Sequence, residues 1–324
     1  MAVRGDSFEL IKRELSLIEE ALQRLRVSQH PFINQVSEYV LFAGGKRVRP
    51  LLCVLSAKVF KPELQDHLYE TALLFEYIHV ATLLHDDVVD EAQFRRGRKA
   101  ARNLWGNQAT ILVGDYLYAK ALDIASSLKN PEVMEAITKT TLLMSEGEVM
   151  QLLHLDDTDL SEDSYREIIF RKTAALFSCS CKVGAILAEG SQAYIEALAQ
   201  YGYHLGMAFQ MVDDLLDYTS VETGKDLGKD FAEGKITLPV ILALNSAPPM
   251  ERELLLTLLK SEQTSFEDFH RAYEIIERNG GFVQCSIKAK EEVAKAKKAL
   301  EYLPSSPYKD SLVFLADYLL ERKK

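Results

Sequence analysis

The chain has 324 residues, of which 48% are hydrophobic and 27% charged, and its formal net charge is −10. This is the composition of a globular protein with enough apolar residues for a large core, and the negative charge disfavours nucleic-acid binding, which needs a basic face. The first residues lack the apolar segment of a secretory signal, and no uncharged apolar run reaches the roughly 18 residues that predict a membrane-spanning helix.

Four cysteines are scattered along the chain, at positions 53, 179, 181 and 285. Cys179 and Cys181 are two residues apart on a predicted helix, so their side chains face different directions. We therefore expect reduced thiols rather than a disulfide framework, which favours a cytoplasmic protein.

Apolar residues recur at three- and four-residue spacing along most of the chain, which predicts helices. In chain order these cover residues 7–26, Pro31 to Gly44-Gly45, 48–60, 64–91, 109–128, 131–155, 161–189 and 191–220. The polar, glycine-rich stretch 219–235 predicts a loop, followed by four or five shorter helices. Since no linker or repeat marks a boundary, we predict one all-α domain over residues 1–324, with long helices around a common core.

Two acidic runs with the same spacing lie within these apolar helices, Asp86-Asp87-x-x-Asp90 and Asp213-Asp214-x-x-Asp217. The first and last aspartate of each run are four residues apart, so both face one side of a helix. Carboxylates on an apolar face are costly to bury unless positive charge satisfies them. Because Mg²⁺ is commonly held by carboxylates together with substrate phosphates, we predict that the runs bind Mg²⁺ and a diphosphate.

A single run of this kind is more often a solvated helix face, so the prediction depends on there being two. It depends also on polar and basic residues near the runs, each of which alone would be an ordinary surface or core residue. These residues are Lys46 and Arg49 at a helix start, His79 two turns before Asp86, Arg95-Arg96, Lys172-Thr173, Gln210 two turns before Asp217, and Lys225, Lys229 and Lys235 in the following loop.

The order of these motifs resembles the trans-isoprenyl diphosphate synthases, or polyprenyl synthetases, from about residue 30 to 245. The pattern is Gly-Gly-Lys-Arg-x-Arg-Pro, Leu-Leu-His-Asp-Asp-x-x-Asp with Arg-Arg-Gly, Lys-Thr, Phe-Gln-x-x-Asp-Asp-x-x-Asp and Gly-Lys-x-x-Gly-x-Asp. Trp105-Gly106-Asn107 and Val113-Gly114-Asp115-Tyr116 are similar to long-chain bacterial members that make quinone side chains. The resemblance implies the isoprenoid synthase fold, a helical bundle around a deep central cavity, and a homodimer.

The resemblance also implies a role for each matching residue. Isopentenyl diphosphate would be bound by Lys46, Arg49, His79 and Arg96. The allylic diphosphate would be held by Arg95, Lys172, Thr173, Gln210, Lys225 and Lys235, whereas Lys229 stands at a position that varies in the family. Three Mg²⁺ ions would be bound mainly by Asp86, Asp90 and Asp213, with direct or indirect support from Asp87, Asp214 and Asp217. The catalytic group would thus comprise Asp86, Asp90, Lys172, Asp213 and Asp217.

The implied reaction condenses isopentenyl diphosphate head-to-tail onto an allylic primer, farnesyl or geranylgeranyl diphosphate. Mg²⁺ and the basic side chains stabilise charge on the leaving diphosphate, so the allylic C–O bond ionises. The double bond of isopentenyl diphosphate then attacks the cation, and released pyrophosphate takes the proton. An apolar site would keep water from quenching the cation.

Product length is predicted from the helix that carries the first acidic run. Ala81 and Thr82 lie about 6–8 Å before Asp86 along this helix. In the family, bulky aromatic residues at these positions stop growth early, whereas both residues here are small. Tyr77 and Ile78, a further turn away, could form a lower floor or simply pack the core. We therefore predict a long all-trans product of roughly C35 to C45, with octaprenyl diphosphate preferred.

Four alternatives remain open at the level of sequence. The first is a shorter-chain, geranylgeranyl diphosphate synthase. The chain could also be the catalytic subunit of a two-component synthase, or a non-catalytic partner, although such partners usually lose the acidic runs. A class I terpene cyclase shares the fold and first run but normally has a different second motif.

An apolar product implies transient contact with membrane when it is released.

Overall fold

The computed structural model describes residues 2–25, 27–65, 67–219, 228–260 and 265–321. Helices dominate the N-terminal part, with a two-stranded antiparallel hairpin between the fourth and fifth. Its elements are α1 (Ala2–Arg24), α2 (Pro31–Leu41), α3 (Val48–Lys58), α4 (Leu68–Val89), β1 (Phe94–Arg95), β2 (Arg98–Lys99), α5 (Ala101–Ser127) and α6 (Pro131–Leu153).

The C-terminal part is helical throughout its described elements. These are α7 (Glu162–Ile169), a π-helical turn (Phe170–Ala174), α8 (Ala175–Leu187), α9 (Gln192–Thr219), α10 (Lys229–Ala232), α11 (Leu238–Ser246), α12 (Pro249–Leu259), α13 (Phe266–Arg278), α14 (Gly281–Ala299), a 3₁₀ turn (Leu300–Tyr302) and α15 (Pro307–Leu320). The prediction of an all-α fold is confirmed.

Two compact units can be distinguished within the chain. Unit 1 comprises the described residues of Met1–Lys139, Cys179–Ala199 and Tyr302–Phe314. Unit 2 comprises those of Thr140–Ser178, Gln200–Glu301 and Leu315–Lys324. The prediction of a single domain over residues 1–324 stays a prediction.

Helix α4 forms the centre of unit 1 and packs against α1, α3 and α5. Its sequence is apolar on all sides, which is typical of a helix that is surrounded by others. Leu73, Leu74 and Phe75 are accordingly fully buried. The acidic run stands at the C-terminal end of this helix, where polar groups can reach the edge of the core.

A buried ion pair connects three helices of unit 1. Lys58 of α3 donates to both carboxylate oxygens of Glu14 on α1, at 3.1 and 3.2 Å. Tyr69 of α4 donates to the same carboxylate at 2.7 Å. Both charged side chains are at most 1% exposed. Each charge can be buried without a large penalty only because its partner is present.

In unit 2, α11 packs against α7, α13 and α14. The core here includes Leu238, Val240 and Ile276, each fully buried. Helix α13 begins with a capping box, in which Ser265 and Asp268 satisfy each other's backbone N–H groups. This local signal explains why α13 begins where it does.

Some predicted helix boundaries were wrong. The second helix ends at Leu41, and the Gly44-Gly45 pair lies beyond it with φ angles of +93° and +151°. The predicted continuous helix 161–189 contains the π-helical turn at Phe170–Ala174. Part of the predicted loop 219–235 is helical, since α10 covers Lys229–Ala232. The positive φ of both glycines is a conformation that glycine adopts readily, and it allows the sharp turn into α3.

The four cysteines are free and buried, which confirms the prediction of unpaired thiols. Burial raises the pKa of the Cys53 thiol well above its usual value. Among the described residues, no helix is both long enough and apolar enough to cross a membrane.

Candidate active site

The first acidic run occupies the last turn of α4, with Asp90 at the C-cap. Asp87 is 2% exposed and accepts hydrogen bonds from Arg95, at 2.7 Å from Nε and 2.6 Å from Nη2. Asp86 and Asp90 are half-buried. Because Asp86 and Asp90 are one turn apart, they share a helix face, as predicted, while Asp87 points toward Arg95.

The hairpin β1–β2 positions Arg95. Phe94 pairs with Lys99, and Arg95 pairs with Arg98, so Arg96 and Gly97 form a two-residue turn. Both turn residues have positive φ angles, +52° and +72°, as tight hairpin turns of this type require. The hairpin thus directs the Arg95 guanidinium back toward the end of α4.

Several arginines of unit 1 surround His79 on α4. Burial, and then the charges of Arg49, Arg96, Arg95 and Arg47, hold the pKa of His79 well below its usual value. Arg96 donates to the backbone carbonyl of Gly44. This neighbourhood is therefore strongly cationic around a neutral imidazole, which favours an anionic ligand such as a diphosphate.

The glycine turn before α3 approaches these arginines closely. A Cβ atom at Gly45 would lie 3.1 Å from Arg96 Nη1 and 3.2 Å from Arg47 Nη1. Lys46 is exposed just before α3, and Arg49 is half-buried in its first turn. The structure thus brings Arg49, His79, Arg95 and Arg96 together, with Lys46 at the start of the same segment.

Arg47 is a residue of this segment to which the sequence assigned no role. It has a left-handed backbone conformation (φ +46°), and its side chain is 3% exposed. The guanidinium donates to Glu19 at 2.7 Å, to Glu76 at 2.6 Å and to the Leu41 carbonyl at 2.6 Å. These bonds stabilise the turn that presents Lys46 and Arg49. The sequence places Arg47 in the Gly-Gly-Lys-Arg motif, but its partners are distant in the chain.

Lys172 and Thr173 lie in the π-helical turn of unit 2. Such turns displace side chains from the regular helical pattern and are frequent at functional sites. The Lys172 ammonium is 2.7 Å from Glu148 Oε2 on α6. Gly147 permits this approach, since a Cβ there would lie only 2.7 Å from the Lys172 backbone nitrogen.

A pocket in unit 2 contains four of the predicted allylic-site residues. Its walls come from α6, α7, the π-helical turn, α9 and the segment around α10. The polar residues lining it are Gln151, His154, Tyr165, Lys172, Thr173, Gln210, Asp214, Asp230, Lys235 and Thr237. Apolar residues such as Ile168 and Ile169 complete the wall, so a charged group can bind beside an apolar one.

The aspartates of the second acidic run, like those of the first, differ from one another in burial and in hydrogen-bond partners. Asp214 is 3% exposed and accepts from Tyr165 at 2.6 Å and from Gln210 at 2.8 Å. Asp217 accepts from the backbone N–H groups of Lys229 and Asp230, at 3.2 and 3.1 Å, and so caps α10. Asp213 is the most exposed aspartate of the run.

Burial, and then the charge of Asp230, raises the pKa of Asp214 to about 8 and that of Asp217 to about 7. Asp230 is thus a further carboxylate beside Asp214 and Asp217, and its Oδ1 lies 4.0 Å from Lys235 Nζ. Asp230 ends the Gly-Lys-x-x-Gly-x-Asp pattern, which by itself indicates no role for this residue. Tyr165 was also missed, because nothing in its local sequence distinguishes it from a core tyrosine.

The lysines after the second run differ in placement. Lys235 lines the pocket and contacts Glu233 at 2.6 Å. Lys229 is exposed and pairs with Glu233 at 3.0 Å. Lys225 lies outside the described residues.

The predicted chain-length residues line up along α4 before the acidic run. Ala81, Tyr77 and Ile78 are at most 1% exposed, and Thr82 is half-buried with its hydroxyl bonded to the His79 carbonyl at 2.8 Å. Burial, and then the neighbouring Tyr116, raises the pKa of Tyr77 to about 12. Nothing bulkier than a methyl group projects from position 81.

The donor chemistry of the aspartates fits a hard divalent cation. Within the part of the chain that the structure describes, no three His, Cys, Asp or Glu side chains are grouped closely enough to hold an ion by themselves. Mg²⁺, however, is commonly bound through one or two carboxylates together with substrate phosphate and water. In unit 2, burial, and then the charge of Asp230, raises the pKa of Asp214 and Asp217, and a bound cation would favour their ionised form.

Comparison with known proteins gives consistent matches along the chain. The family model described as polyprenyl synthetase matches residues 30–276. An octaprenyl diphosphate synthase from Escherichia coli (strain K12) is 36% identical over 318 residues, 98% of this chain and 98% of that protein.

Two crystal structures are similar over nearly the full length. A decaprenyl diphosphate synthase from Rhodobacter capsulatus has a TM-score of 0.91 and 37% identity, with 99% of each chain covered. A polyprenyl synthase from Caulobacter crescentus CB15, complexed with calcium and isoprenyl diphosphate, has a TM-score of 0.92 and 36% identity over 99% of this chain and 98% of that one.

Proposed function

The chain belongs to the polyprenyl synthetase family, has the isoprenoid synthase fold and is a trans-prenyltransferase, and from this premise we propose its substrates, metal and product. It condenses isopentenyl diphosphate head-to-tail onto an allylic diphosphate, farnesyl or geranylgeranyl diphosphate, to give a long all-trans-polyprenyl diphosphate. The resemblance recognised in the sequence is confirmed at the level of the family.

The observation that carries this proposal is the cationic cluster around His79. Burial, and then the charges of four surrounding arginines, hold the pKa of this imidazole well below its usual value. A group of guanidinium side chains favours an anionic ligand. We assign it to the diphosphate of isopentenyl diphosphate, bound by Lys46, Arg49 and Arg96, with His79 as a neutral hydrogen-bonding partner. Arg95, held by Asp87, lies at the edge of this cluster and is assigned to the allylic diphosphate.

We assign the pocket of unit 2 to the allylic diphosphate. Lys172 and Lys235 supply positive charge there, while Thr173 and Gln210 supply oriented polar groups. The apolar wall around Ile168 and Ile169 suits a hydrocarbon chain and limits access of water. Lys225, outside the described residues, is assigned to the same diphosphate from the family pattern.

Mg²⁺ is the proposed metal, as three ions when substrate is bound. Asp86, Asp90 and Asp213 are the proposed main ligands, supported by Asp87, Asp214 and Asp217. A bound divalent cation would neutralise the leaving diphosphate and favour ionisation of the allylic C–O bond. The calcium and isoprenyl diphosphate named for the Caulobacter crescentus relative support a divalent cation and this class of ligand.

The side chains then have distinct tasks in the proposed reaction. The basic residues hold each diphosphate, so that the reacting carbons meet in one orientation. Lys172 leaves Glu148 to stabilise charge that develops on the leaving group. The proton that is lost is assigned to the released pyrophosphate.

For the product we propose octaprenyl diphosphate, used for a quinone side chain. The names of the similar proteins, octaprenyl and decaprenyl diphosphate synthase, differ in length. The support for product length in this chain is that the side chains of Ala81 and Thr82 are small, while the larger Tyr77 and Ile78 lie a turn further along α4.

A homodimer is proposed for the assembly. Its support is a set of large apolar side chains exposed on two long helices. These are Leu104, Ile111 and Leu112 on α5, and Leu142, Val149, Leu152 and Leu153 on α6, each between 39% and 75% exposed. Exposed apolar surface of this kind favours association with another protein surface.

We propose a cytoplasmic location, supported by four free buried thiols. The apolar product implies transient contact with membrane on release. We further propose that residues 1–324 act as one catalytic domain, since each unit supplies residues that the reaction needs.

The test is turnover by the purified chain alone. Incubation with farnesyl diphosphate, ¹⁴C-labelled isopentenyl diphosphate and Mg²⁺ should transfer label into a solvent-extractable product. Label left in isopentenyl diphosphate, with the allylic substrate cyclised, would support a terpene cyclase instead. No reaction until a second protein is added would support a two-component synthase.

A further inference from the structure

Four side chains of unit 2 form one hydrogen-bonded chain beside the pocket. Tyr165 Oη donates to Asp214 Oδ2 at 2.6 Å, and Gln210 Nε2 donates to Asp214 Oδ1 at 2.8 Å. Thr173 Oγ1 donates to Gln210 Oε1 at 2.8 Å. All four residues line the pocket. The chain therefore leads from α7, through α9, to the π-helical turn.

The chemistry of the amide gives this chain a direction. The nitrogen of Gln210 can only donate, so Asp214 determines which end of the amide faces it. The amide oxygen is thereby turned toward Thr173, whose single hydroxyl hydrogen is used in that bond. The orientation of both pocket-facing groups therefore depends on where the Asp214 carboxylate lies.

Tyr165 is the partner that fixes this carboxylate from the far side. Its side chain is on α7, whereas Asp214 and Gln210 are on α9, so its hydroxyl connects α7 to α9. Tyr165 is 4% exposed and Asp214 3% exposed. A buried carboxylate oxygen that loses its donor is costly, so Asp214 would turn to find another.

We propose that Tyr165 is a positioning residue for the allylic substrate, acting through Asp214 on Gln210 and Thr173. This inference rests on the proposed function. Tyr165 has no role in binding isopentenyl diphosphate under this proposal. Its removal should therefore affect the two substrates unequally.

The first test is Tyr165→Phe, which removes the hydroxyl and keeps the ring. The kcat/KM for farnesyl diphosphate should fall about 10- to 100-fold, because a small displacement of a substrate-positioning group lowers the rate by a factor of this size. The KM for isopentenyl diphosphate should stay within about twofold, because its proposed ligands are elsewhere. Tyr273→Phe is the matched control, since it removes a hydroxyl from a tyrosine that packs against Phe282; it should leave both constants unchanged.

A double-mutant cycle with Gln210→Ala separates positioning from general loosening. If Tyr165 acts through Gln210, the double variant should be no worse than Gln210→Ala alone, to within about twofold. The proposal would be overturned if the two substitutions lowered kcat/KM by factors that multiply in the double variant. It would also be overturned by equal losses of kcat/KM for the two substrates, or by an unchanged kcat/KM for farnesyl diphosphate.

Circular dichroism and the thermal midpoint of each variant establish that the folded protein is measured. Should Tyr165→Phe not fold, a cycle with Asp214→Asn and Gln210→Ala tests the hydrogen-bonded chain of side chains. Losses of kcat/KM for farnesyl diphosphate that do not multiply in the double variant support the proposal, and losses that multiply overturn it. A wild-type chain that does not elongate farnesyl diphosphate would contradict the proposed function. A wild-type chain that does, with Tyr165→Phe fully active, would contradict this inference alone.

Discussion

At the scale of single residues, the aspartates of each run have different surroundings. Asp87 is bound by Arg95, and Asp214 by Tyr165 and Gln210, whereas Asp86 and Asp90 stand half-buried at the end of α4. We infer that the more exposed members bind metal directly, and that the buried members mainly hold neighbouring groups in place. This division leads to a prediction for Asp90.

Asp90→Asn should lower kcat about 10²- to 10³-fold, because a neutral amide binds Mg²⁺ more weakly and stabilises the leaving charge less. The measurement is steady-state turnover over a Mg²⁺ titration, in which the variant should also need more Mg²⁺. Asp123→Asn is the control, since Asp123 is exposed on α5 and pairs with Lys120. A variant within threefold of wild type would exclude Asp90 as a metal ligand.

Ala81→Phe should shorten the product. Ala81 is fully buried five residues before Asp86, so a phenyl ring there would project into the proposed path of the growing chain. We expect products shorter than those of wild type, with a thermal midpoint lowered by overpacking worth about 1–3 kcal/mol. Chromatography of dephosphorylated products is the measurement, and Ala81→Ser, of similar volume, is the control. An unchanged product ladder would show that the chain does not pass residue 81.

The site residues that could be predicted from sequence are those defined by spacing. Residue spacing alone places Asp86 and Asp90 on one helix face, and it places His79 on the same face as Asp86. Arg47 and Tyr165 could not be found this way, because their partners Glu76 and Asp214 are 29 and 49 residues away. Their roles depend on tertiary contacts, which no local pattern records.

At the scale of elements, the approach of α6 to the π-helical turn decides where Lys172 lies. Gly147→Ala would place a Cβ 2.7 Å from the Lys172 backbone nitrogen, so the two segments must move apart. We expect kcat/KM for farnesyl diphosphate to fall about 10-fold or more, since Lys172 is then misplaced.

Gly5→Ala is the control for this substitution, because Gly5 is also in a helix and a Cβ there meets nothing within 4 Å. It should leave activity unchanged and stabilise α1 by up to about 1 kcal/mol. Equal activity of Gly147→Ala and wild type would contradict a positional role for this contact. Calorimetry of both variants separates lost stability from lost positioning.

The long helices were predictable because their apolar periodicity continues over several turns. The π-helical turn at Phe170–Ala174 was not, because it leaves the apolar pattern of 161–189 nearly intact. The end of α2 at Leu41 was also missed. There the glycine pair serves the turn into α3 rather than the helix end.

For the molecule as a whole, buried ion pairs join helices that are far apart in the chain. In unit 2, Glu292 on α14 accepts from Arg166 of α7 at 2.5 Å and is 2.7 Å from His204 Nδ1 on α9. Burial opposes ionisation, but hydrogen bonds from His204, Lys295 and Arg166 outweigh it and hold the pKa of Glu292 at about 2. The folded protein thus binds a proton here less readily than the unfolded chain.

This difference predicts a pH dependence of stability. A carboxylate whose folded pKa is depressed stabilises the fold above its unfolded pKa of about 4.3, and that stability is lost as the pH falls toward 2. Glu292→Gln should therefore cost on the order of 2–3 kcal/mol at pH 7, with the difference from wild type shrinking between pH 4.5 and 2.

Urea unfolding of both proteins at several pH values is the measurement. Glu291→Gln, at the exposed neighbouring position of α14, is the control and should follow wild type. A difference between Glu292→Gln and wild type that stays constant from pH 7 to 2.5 would contradict the depressed pKa.

The central claim, that this chain alone builds a long polyprenyl diphosphate, is tested most directly by the mass of its product. Purified protein is incubated with farnesyl diphosphate, excess isopentenyl diphosphate and Mg²⁺, and the dephosphorylated alcohols are measured by mass spectrometry. We predict octaprenol as the main species, and its absence when Mg²⁺ is chelated. Unextended farnesol, or elongation that stops at the C20 alcohol, would contradict the account.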